Sequence, residues 1–412
     1  SFVGDWFNTI VLAAIVSRFT DGSGLAIGLF MLARFLPPLL VTPVAGALAD
    51  RYDRKKLLIY SDVLRVFVVL AFLLIKTPDQ LWLLYVLTIV QFCVGAIFEP
   101  ARSALLPSMV RRDDLVLANV LGSITWSAAL ALGGALGGFV AGAFGAEIAL
   151  SIDAVSFLIS AILIFWSQPT IAAETLAMRA ERKHASLADI VDGLRYARAH
   201  PTTAATLLVK FGGNVGNIDT VLVIYGTVLF PLYVVGLTKT AEEAGFLSLG
   251  ILWAAFGVGA ILGLLLIDRF NDGSPRTMRR LIAVGYGLIV IGWFALGFAP
   301  TLLLASVAMV IRAMGGNAYW TYSSVILQKT VEDNYLGRMF SLDFAGFQLS
   351  TVLSTIIMSA ALEAVGNQNA PAVVIVAGFV SLLPLVLWTL ALPWIERQEI
   401  REAQPEPTPA GD

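Results

Sequence analysis

Four ionisable side chains, Asp5, Arg34, Asp219 and Arg312, interrupt long apolar stretches of this 412-residue chain. A charge inside an apolar helix is costly unless it is paired or hydrated, so each is a functional candidate. Helix rise places Asp5 about 21 Å and Arg34 about 15 Å from the same end of their helices, within reach of one arginine side chain. We predict an Asp5–Arg34 pair that a proton opens, or a static pair that joins two helices.

Asp219 follows the stretch "FGGNVGN" (211–217), in which three glycines and two asparagines predict a kinked or partly unwound helix. Broken helices at the middle of a membrane commonly line binding sites. Asp219 is therefore a candidate proton carrier or attractor of a cationic substrate, and the alternative is a polar pair with Arg312. These four residues form the predicted charge-pair set.

Aromatic and amide side chains in several apolar stretches could line a pocket for a bulky, partly apolar organic molecule. The candidates are Asn8, Gln91, Trp126, Asn214, Asn217, Tyr225, Asn317, Tyr319 and Trp320. The alternative is that several of them face lipid or belong to the interfacial aromatic belt. Asp153, one or two turns from a helix end, is a candidate extracellular gate residue or a hydrated surface acid. Asp343, near the start of its predicted helix, is expected to cap it.

The composition indicates how these residues are positioned. The chain is 58% hydrophobic and 14% charged, with mean hydropathy +0.82, whereas soluble proteins are about one quarter charged. Ten-residue alternating segments typical of a β-barrel are absent. We predict an all-α polytopic membrane protein with twelve transmembrane helices, at residues 2–19, 24–49, 57–76, 80–107, 114–144, 146–167, 202–236, 242–267, 278–298, 301–328, 338–365 and 370–394.

The breaks between these segments alternate in charge, and one set contains 20 of the 27 Lys and Arg residues. The positive-inside rule places that set, and both termini, in the cytoplasm. We predict an N-terminal six-helix bundle (1–167), a cytoplasmic connector with an amphipathic helix (168–200), a C-terminal six-helix bundle (201–395) and a disordered tail (396–412). The connector helix lies along the membrane or braces the two halves.

The two halves also resemble each other in sequence. "GALADR" at 46 matches "GLLLIDR" at 263, "QFCVGA" at 91 matches "RAMGGN" at 312, and "GDWFN" at 4 matches "GNVGN" at 213. The three matches occur in the same order in corresponding helices. This indicates two pseudo-symmetric bundles, a design in which the binding site lies between the repeats.

The stretch "GALADRYDRKK" (46–56) resembles the signature that joins helices 2 and 3 of the major facilitator superfamily. Asp53 replaces the glycine of that pattern, and the matching positions are Gly46, Leu48, Ala49, Asp50, Arg51, Arg54 and Lys55. Further stretches, among them "EPARSALLP" and "GLRYARAHP", resemble the branch of macrolide-efflux and enterobactin-exporter proteins. The resemblance implies alternating access and a cytoplasmic latch formed by Gly46, Asp50, Arg51, Arg54 and Glu99.

Two other patterns of this superfamily are partly kept. Gln91 stands where the helix-4 pattern has arginine, while Arg312 keeps the arginine in the second half. The helix-5 antiporter pattern is present as Gly133, Gly134, Gly137 and Gly138, with Gly134 replacing a proline. These glycines serve either gating or plain helix packing.

These observations predict a proton-coupled exporter of amphipathic organic molecules such as a drug, siderophore or lysolipid. The alternatives are an importer of a small polar solute and a membrane sensor. An enzyme is not expected, and neither a Walker loop nor a metal motif is present in the sequence. We expect no cofactor beyond a proton gradient, no metal, no nucleic-acid partner, a small-molecule substrate and a monomer in the bacterial inner membrane, surrounded by lipid.

Overall fold

The first half of the chain contains six long helices. The computed structural model describes residues 2–105, 115–167, 187–216 and 218–402. The helices are α1 (Phe2–Phe19), α2 (Gly24–Arg51), α3 (Arg54–Phe72), α4 (Leu81–Leu105), α5 (Leu115–Phe144) and α6 (Ala146–Trp166). Each coincides with one of the first six predicted segments. The described junctions between them, residues 20–23, 52–53, 73–80 and 145, are short.

The second half begins with the connector helix and contains one interrupted helix. Its helices are α7 (Leu187–Ala199), α8 (Pro201–Gly213), α9 (Asp219–Ile224), α10 (Ala241–Ile267), α11 (Pro275–Gly297), α12 (Leu302–Thr330), α13 (Asp333–Val365) and α14 (Ala370–Glu402). The predicted segment 202–236 is divided into α8, α9 and a π-helical turn over Tyr225–Leu229. Gly216 has a φ of +75° between α8 and α9, a backbone conformation that favours glycine.

Two predicted boundaries in the second half are wrong. Helix α13 begins five residues before the predicted start, so Asp343 lies well inside the helix and does not cap it. Helix α14 continues to Glu402, beyond the predicted start of a disordered tail at 396. Glu396 explains the extension, because its carboxylate pairs with Arg276 at 2.9 Å and Arg280 at 3.2 Å on α11. Residues 403–412 lie outside the described part of the chain.

Helix length and surface composition fit a protein embedded in lipid. Within the described residues, eight helices are long and apolar enough to cross a membrane. Large apolar side chains stand exposed along the helices, including Leu40, Phe67, Trp166 and Val376. In water these side chains would be unfavourably hydrated, whereas hydrocarbon accommodates them. The crossing of the membrane by all twelve segments stays a prediction.

Local capping explains where several helices begin. The hydroxyl oxygen of Thr240 accepts from the Glu243 amide, and the Glu243 carboxylate accepts from the Thr240 amide, which forms a capping box at α10. Ser274 and Thr301 cap α11 and α12 in the same manner, each accepting from an amide three residues on. These polar side chains satisfy amides that the first helical turn leaves without partners.

The two halves meet along two helix pairs, α5 with α10 and α2 with α13. We call the end of the bundle formed by residues 20–23, 73–80, 145, 230–240, 298–301 and 366–369 the distal end; the charge pattern predicts that it faces the outside. At the opposite end, connector helix α7 packs on α13, where Asp192 pairs with Arg338 at 2.9 Å and Gly193 lies against Met339. The connector therefore braces the second half.

Candidate functional site

Arg34 of α2 lies where the two halves meet. Its guanidinium carbon is 5.2 Å from the ring centroid of Trp6. Its charge interacts with Asp5 in the same half and with Asp219 in the other half. Arg312 of α12 also interacts with Asp219. The structure thus brings the four predicted charge-pair residues together, and we call this group the central charge cluster (Asp5, Arg34, Asp219 and Arg312).

Aromatic rings hold both arginines of the central charge cluster in place. Besides Trp6, the rings of Phe35 and Phe92 lie 5.2 and 5.6 Å from the Arg34 guanidinium carbon. The Arg312 guanidinium lies 4.5 Å from the Trp293 centroid, and the side chain is buried. Ring faces attract a cation most strongly where water is scarce. Both cations therefore keep a favourable contact when the charge of a neighbouring acid changes.

The interruption between α8 and α9 is held by hydroxyl groups on α13. Ser350 donates to the carbonyl oxygen of Phe211 at 2.7 Å, and Ser354 donates to that of Asn214 at 3.2 Å. The Gly216 amide donates to the Ser354 hydroxyl at 3.1 Å. The Asn214 side-chain amide donates to Thr351. Within a membrane, the amide and carbonyl groups that a broken helix leaves unpaired need such hydrogen-bond partners. The hydroxyls of α13 provide them here and so stabilise the break before Asp219.

Replacing Ser354 with alanine should destabilise the protein by about 1–3 kcal/mol, because the Gly216 amide loses its acceptor. Thermal unfolding in detergent measures the effect. Ser341→Ala is the matched control, since among the described residues the Ser341 hydroxyl donates within its own helix, to the Gly337 carbonyl. Equal melting temperatures for the two variants would show that the hydroxyl does not support the break.

Several predicted cavity residues are instead used in helix packing. Tyr225 is fully buried and its hydroxyl donates to the Leu296 carbonyl at 3.2 Å, so its prediction as a lining residue is wrong. Tyr319 is also buried, with its ring stacked on Tyr286. The Asn317 side-chain amide donates to the Ala260 carbonyl at 2.6 Å and joins α12 to α10.

The remaining lining candidates divide into three groups. Gln91 and Asn8 are buried within the first half. Trp320 is partly buried, and its ring packs edge-on against Phe347 at 4.9 Å. The side chain of Trp126 and the whole of Asn217 lie outside the described residues. Most of the predicted lining residues that the structure describes are therefore packed against neighbouring helices.

Asp153 lies about two turns from the distal start of α6 and is buried, so the alternative of a hydrated surface acid is wrong, while a gate role stays a prediction. The residue is fully buried within the first half. A Cβ built on Gly4 of α1 would lie 2.2 Å from its Oδ1, which shows how closely α1 approaches α6 there. Its charge interacts with Asp5 and Arg65. The absence of a side chain at Gly4 allows α1 to cover the acid, which sequence spacing did not indicate.

The glycines of α5 form a contact between the halves. A Cβ on Gly138 would lie 2.4 Å from the Gly250 Cα, and one on Gly134 would lie 2.9 Å from the Trp253 Cβ, both on α10. Gly137 faces α1 instead, and Gly133 is buried. The sequence left gating and packing open as alternatives. The structure shows helix packing at the junction of the two halves, and a gating role stays a prediction.

Side chains at the distal end also join the halves, and the sequence analysis missed them. Arg18 of α1 pairs with Glu242 of α10. The Glu363 carboxylate of α13 accepts from the Ser23 hydroxyl at 2.8 Å and the Leu25 amide at 3.1 Å. Partners more than 200 residues apart give no local sequence signal. Through these contacts the distal end is closed in this structure.

The predicted latch falls largely on side chains outside the described residues. Gly46, Asp50 and Arg51 belong to α2, Arg54 begins α3, and Glu99 belongs to α4. Next to them, Asp53 accepts from the Lys56 amide at 3.2 Å and caps α3, which accounts for an acid in place of the family's glycine. Lys55 donates to the carbonyls of Phe165 and Ser167 at the end of α6. The latch role stays a prediction.

Comparison with known proteins gives a consistent result across the chain. Residues 1–410 match the family model described as transmembrane secretion effector. An uncharacterized MFS-type transporter, YfiS of Bacillus subtilis, is 27% identical over 87% of this chain and 82% of its own. Macrolide efflux protein A of Streptococcus pyogenes is 22% identical over 87% and 86%. The multidrug efflux pump Tap of Mycolicibacterium fortuitum is 26% identical over 81% of each chain.

Solved structures share the fold at low sequence identity. The nucleoside transporter NupG superposes with a TM-score of 0.63 at 13% identity, over 95% of this chain and 97% of its own. A bacterial homologue of the human lysosomal transporter Spinster gives a TM-score of 0.67 at 15% identity, over 99% and 97%. At these identities the superpositions establish the arrangement of helices alone.

Proposed function

This chain belongs to the transmembrane secretion effector family of major facilitator transporters, and from that membership we propose that it exports amphipathic organic molecules. Relatives whose names describe efflux match most of its length, including the macrolide and multidrug proteins. Family membership makes it a multi-pass membrane transporter rather than an enzyme. The drug, siderophore or lysolipid substrates predicted from the sequence are all amphipathic.

The observation that carries this proposal is a cluster of charges shared by both halves beneath a closed distal end. Asp219, at the break of the second half, interacts with Arg34 of the first half and with Arg312 of its own half. The distal junctions Arg18–Glu242 and Gly138–Gly250 close one side. Alternating access requires that such distal contacts form and break in turn with contacts at the other end. The central charge cluster would link these movements to the binding of a proton or substrate.

We propose that a proton on Asp219 drives this movement. An ionised Asp219 attracts arginines from both halves and favours their approach. When Asp219 binds a proton, that attraction is lost, while Arg34 and Arg312 keep their aromatic contacts. The halves then separate more easily at this point. The alternative role of Asp219 is to bind a cationic group of the substrate, in competition with the proton.

We also propose that the protein lies in a bacterial inner membrane with its distal end outside. The support is the asymmetric distribution of Lys and Arg, with 20 of 27 in the opposite set of breaks. An exporter in this orientation takes its substrate from the cytoplasm or the inner leaflet and releases it at the distal end.

Transport into proteoliposomes tests the proposed function. A panel of a macrolide, a lipophilic cation, a catecholate siderophore and a lysolipid is assayed with and without an imposed pH gradient, at matched membrane potential. We expect transport of at least one amphiphile in the direction opposite to that of the protons. A nucleoside and a pentose are the controls for import of polar solutes. Transport of these controls without any amphiphile would contradict export and favour the importer.

A further inference from the structure

A buried ion pair outside the central charge cluster joins α8 to α13. The Lys210 ammonium pairs with an oxygen of Asp343, and both side chains are almost wholly buried, at 4% and 1% exposed. The other Asp343 oxygen, Oδ1, is buried and accepts no hydrogen bond from the described residues. The sequence analysis assigned no role to Lys210, and it treated Asp343 as a helix cap. A buried pair of this kind within a membrane is costly to maintain for packing alone.

The depths of the two residues explain why they meet. Lys210 lies nine residues after the start of α8 and Asp343 ten residues after the start of α13, about 14 and 15 Å along their helices. Both helices begin beside α7, so equal depths bring the side chains face to face. Lys210 also donates to the Ser324 hydroxyl at 2.9 Å and lies 4.3 Å from the Trp320 ring centroid on α12. One ammonium group therefore joins three helices.

The pair is close in sequence to the break that precedes Asp219. Helix α8 ends at Gly213, three residues after Lys210. The hydroxyls that support the break, Ser350 and Ser354, lie two and three turns beyond Asp343 on the same helix. Helices α8 and α13 are thus joined twice, by an ion pair and by hydroxyl contacts. Without the ion pair, the described contacts between α8 and α13 are neutral hydrogen bonds, such as those of Ser350 and Ser354, and the packing of the two helices.

We propose that Lys210 and Asp343 form a proton-sensitive brace that positions the broken helix, and hence Asp219, during transport. The proposal rests on the transport function above. A proton from water on one side binds a carboxylate oxygen of Asp343 and leaves to water on the other side. Lys210 keeps its three protons throughout, and no other bond changes. The neutral acid no longer attracts the ammonium, which stays on Ser324 and Trp320, and α8 becomes free to shift along α13.

The groups that face Asp343 are few. Lys210 on α8 and Tyr319 on α12 are the titratable groups of the described residues that interact with it. At the start of its own helix, Arg338 is paired with Asp192 of α7. Where α2 packs on α13, it presents the backbone carbonyl of Phe35 to the Gln348 side chain. Lys210 is therefore the cation whose attraction a proton on Asp343 would remove.

The experiment compares gradient-driven accumulation with substrate exchange at equal pH, using whichever amphiphile of the panel the unaltered protein transports. Asp343→Asn imitates the protonated acid. We expect it to lower gradient-driven accumulation at least about tenfold while exchange stays within about threefold. Because this variant leaves Lys210 without its acid, the paired variant Lys210→Met with Asp343→Asn removes both charges and avoids a lone buried cation. We expect the paired variant to stay uncoupled and to unfold near the normal temperature.

Asp192→Asn is the matched control, since it removes a more exposed ion pair on the same helix α13. It should leave both assays unchanged. Restored gradient-driven accumulation in the paired variant would overturn the proposal, because a purely structural pair tolerates loss of both charges. Normal coupling in Asp343→Asn would overturn it as well. Failure of the unaltered protein to transport any amphiphile would instead reject the proposed export function, which separates the two claims.

Discussion

Replacing Asp219 with asparagine should abolish accumulation driven by a pH gradient, with at least about a hundredfold loss of the gradient-driven rate. Asp219 is the acid that interacts with both Arg34 and Arg312, so it joins the cations of the two halves. Asparagine keeps the shape of the side chain but neither carries the charge nor exchanges a proton. Both arginines would then lose the negative charge with which they interact. Initial rates in proteoliposomes with and without the gradient measure the loss.

The matched control is Asp79→Asn, which removes an acid from an exposed turn between α3 and α4. That variant should transport normally. Substrate affinity separates two roles of Asp219: a coupling acid loses gradient dependence with little change in substrate affinity, whereas a binding acid loses affinity for cationic substrates above all. Normal gradient-driven rates in Asp219→Asn would show that the central charge cluster is only a structural contact.

A methyl group at Gly138 should hold the distal end open. In this structure a Cβ there would lie 2.4 Å from the Gly250 Cα and 2.6 Å from the Phe246 carbonyl oxygen, both backbone atoms that have little freedom to move. Overpacking of this kind costs about 1–3 kcal/mol, which shifts a conformational equilibrium roughly 5- to 150-fold. The penalty falls on the closed state alone, because the contact joins the two halves. Transport by Gly138→Ala should fall accordingly.

Labelling of a cysteine at Ser17 measures that shift. Ser17 is buried and its hydroxyl contacts Thr227 of the other half, so it becomes reachable only when the distal end opens. In a Cys93→Ser background, a membrane-impermeant maleimide added outside should react faster with the Gly138→Ala protein. Gly287→Ala is the control, because a Cβ there meets no atom within 4 Å. Equal labelling of the two variants would contradict a gating role for α5.

The sequence predicted those features that depend on composition and local pattern. Long apolar runs indicated the helices, and the glycines and asparagines of 211–217 indicated the break before Asp219. The cost of a charge in lipid identified Arg34 and Arg312 as candidates, and helix rise indicated Asp5 as a partner of Arg34. The interaction of Arg34 with Asp219 of the other half was not predicted. Each of these signals lies in a few neighbouring residues, so a single sequence is enough to predict the feature.

Features that depend on which helix faces which could not be predicted. Lys210 and Asp343 are 133 residues apart, and their pairing follows from equal depth on helices that only folding brings together. Asp153 is covered because Gly4 lets α1 approach, and Tyr225 is buried because its hydroxyl reaches Leu296. A side chain's direction around its helix axis is set by packing. An apolar sequence with weak amphipathic contrast leaves that direction undetermined.

The most direct test of the coupling role of Asp219 is the proton movement that accompanies substrate transport. Proteoliposomes with little internal buffer and a trapped pH indicator are given an amphiphile that the unaltered protein transports, with no imposed gradient. We expect a pH change that shows protons moving opposite to the substrate, and we expect this change to be absent in Asp219→Asn while substrate still exchanges. Proton movement of normal size in Asp219→Asn would contradict the account.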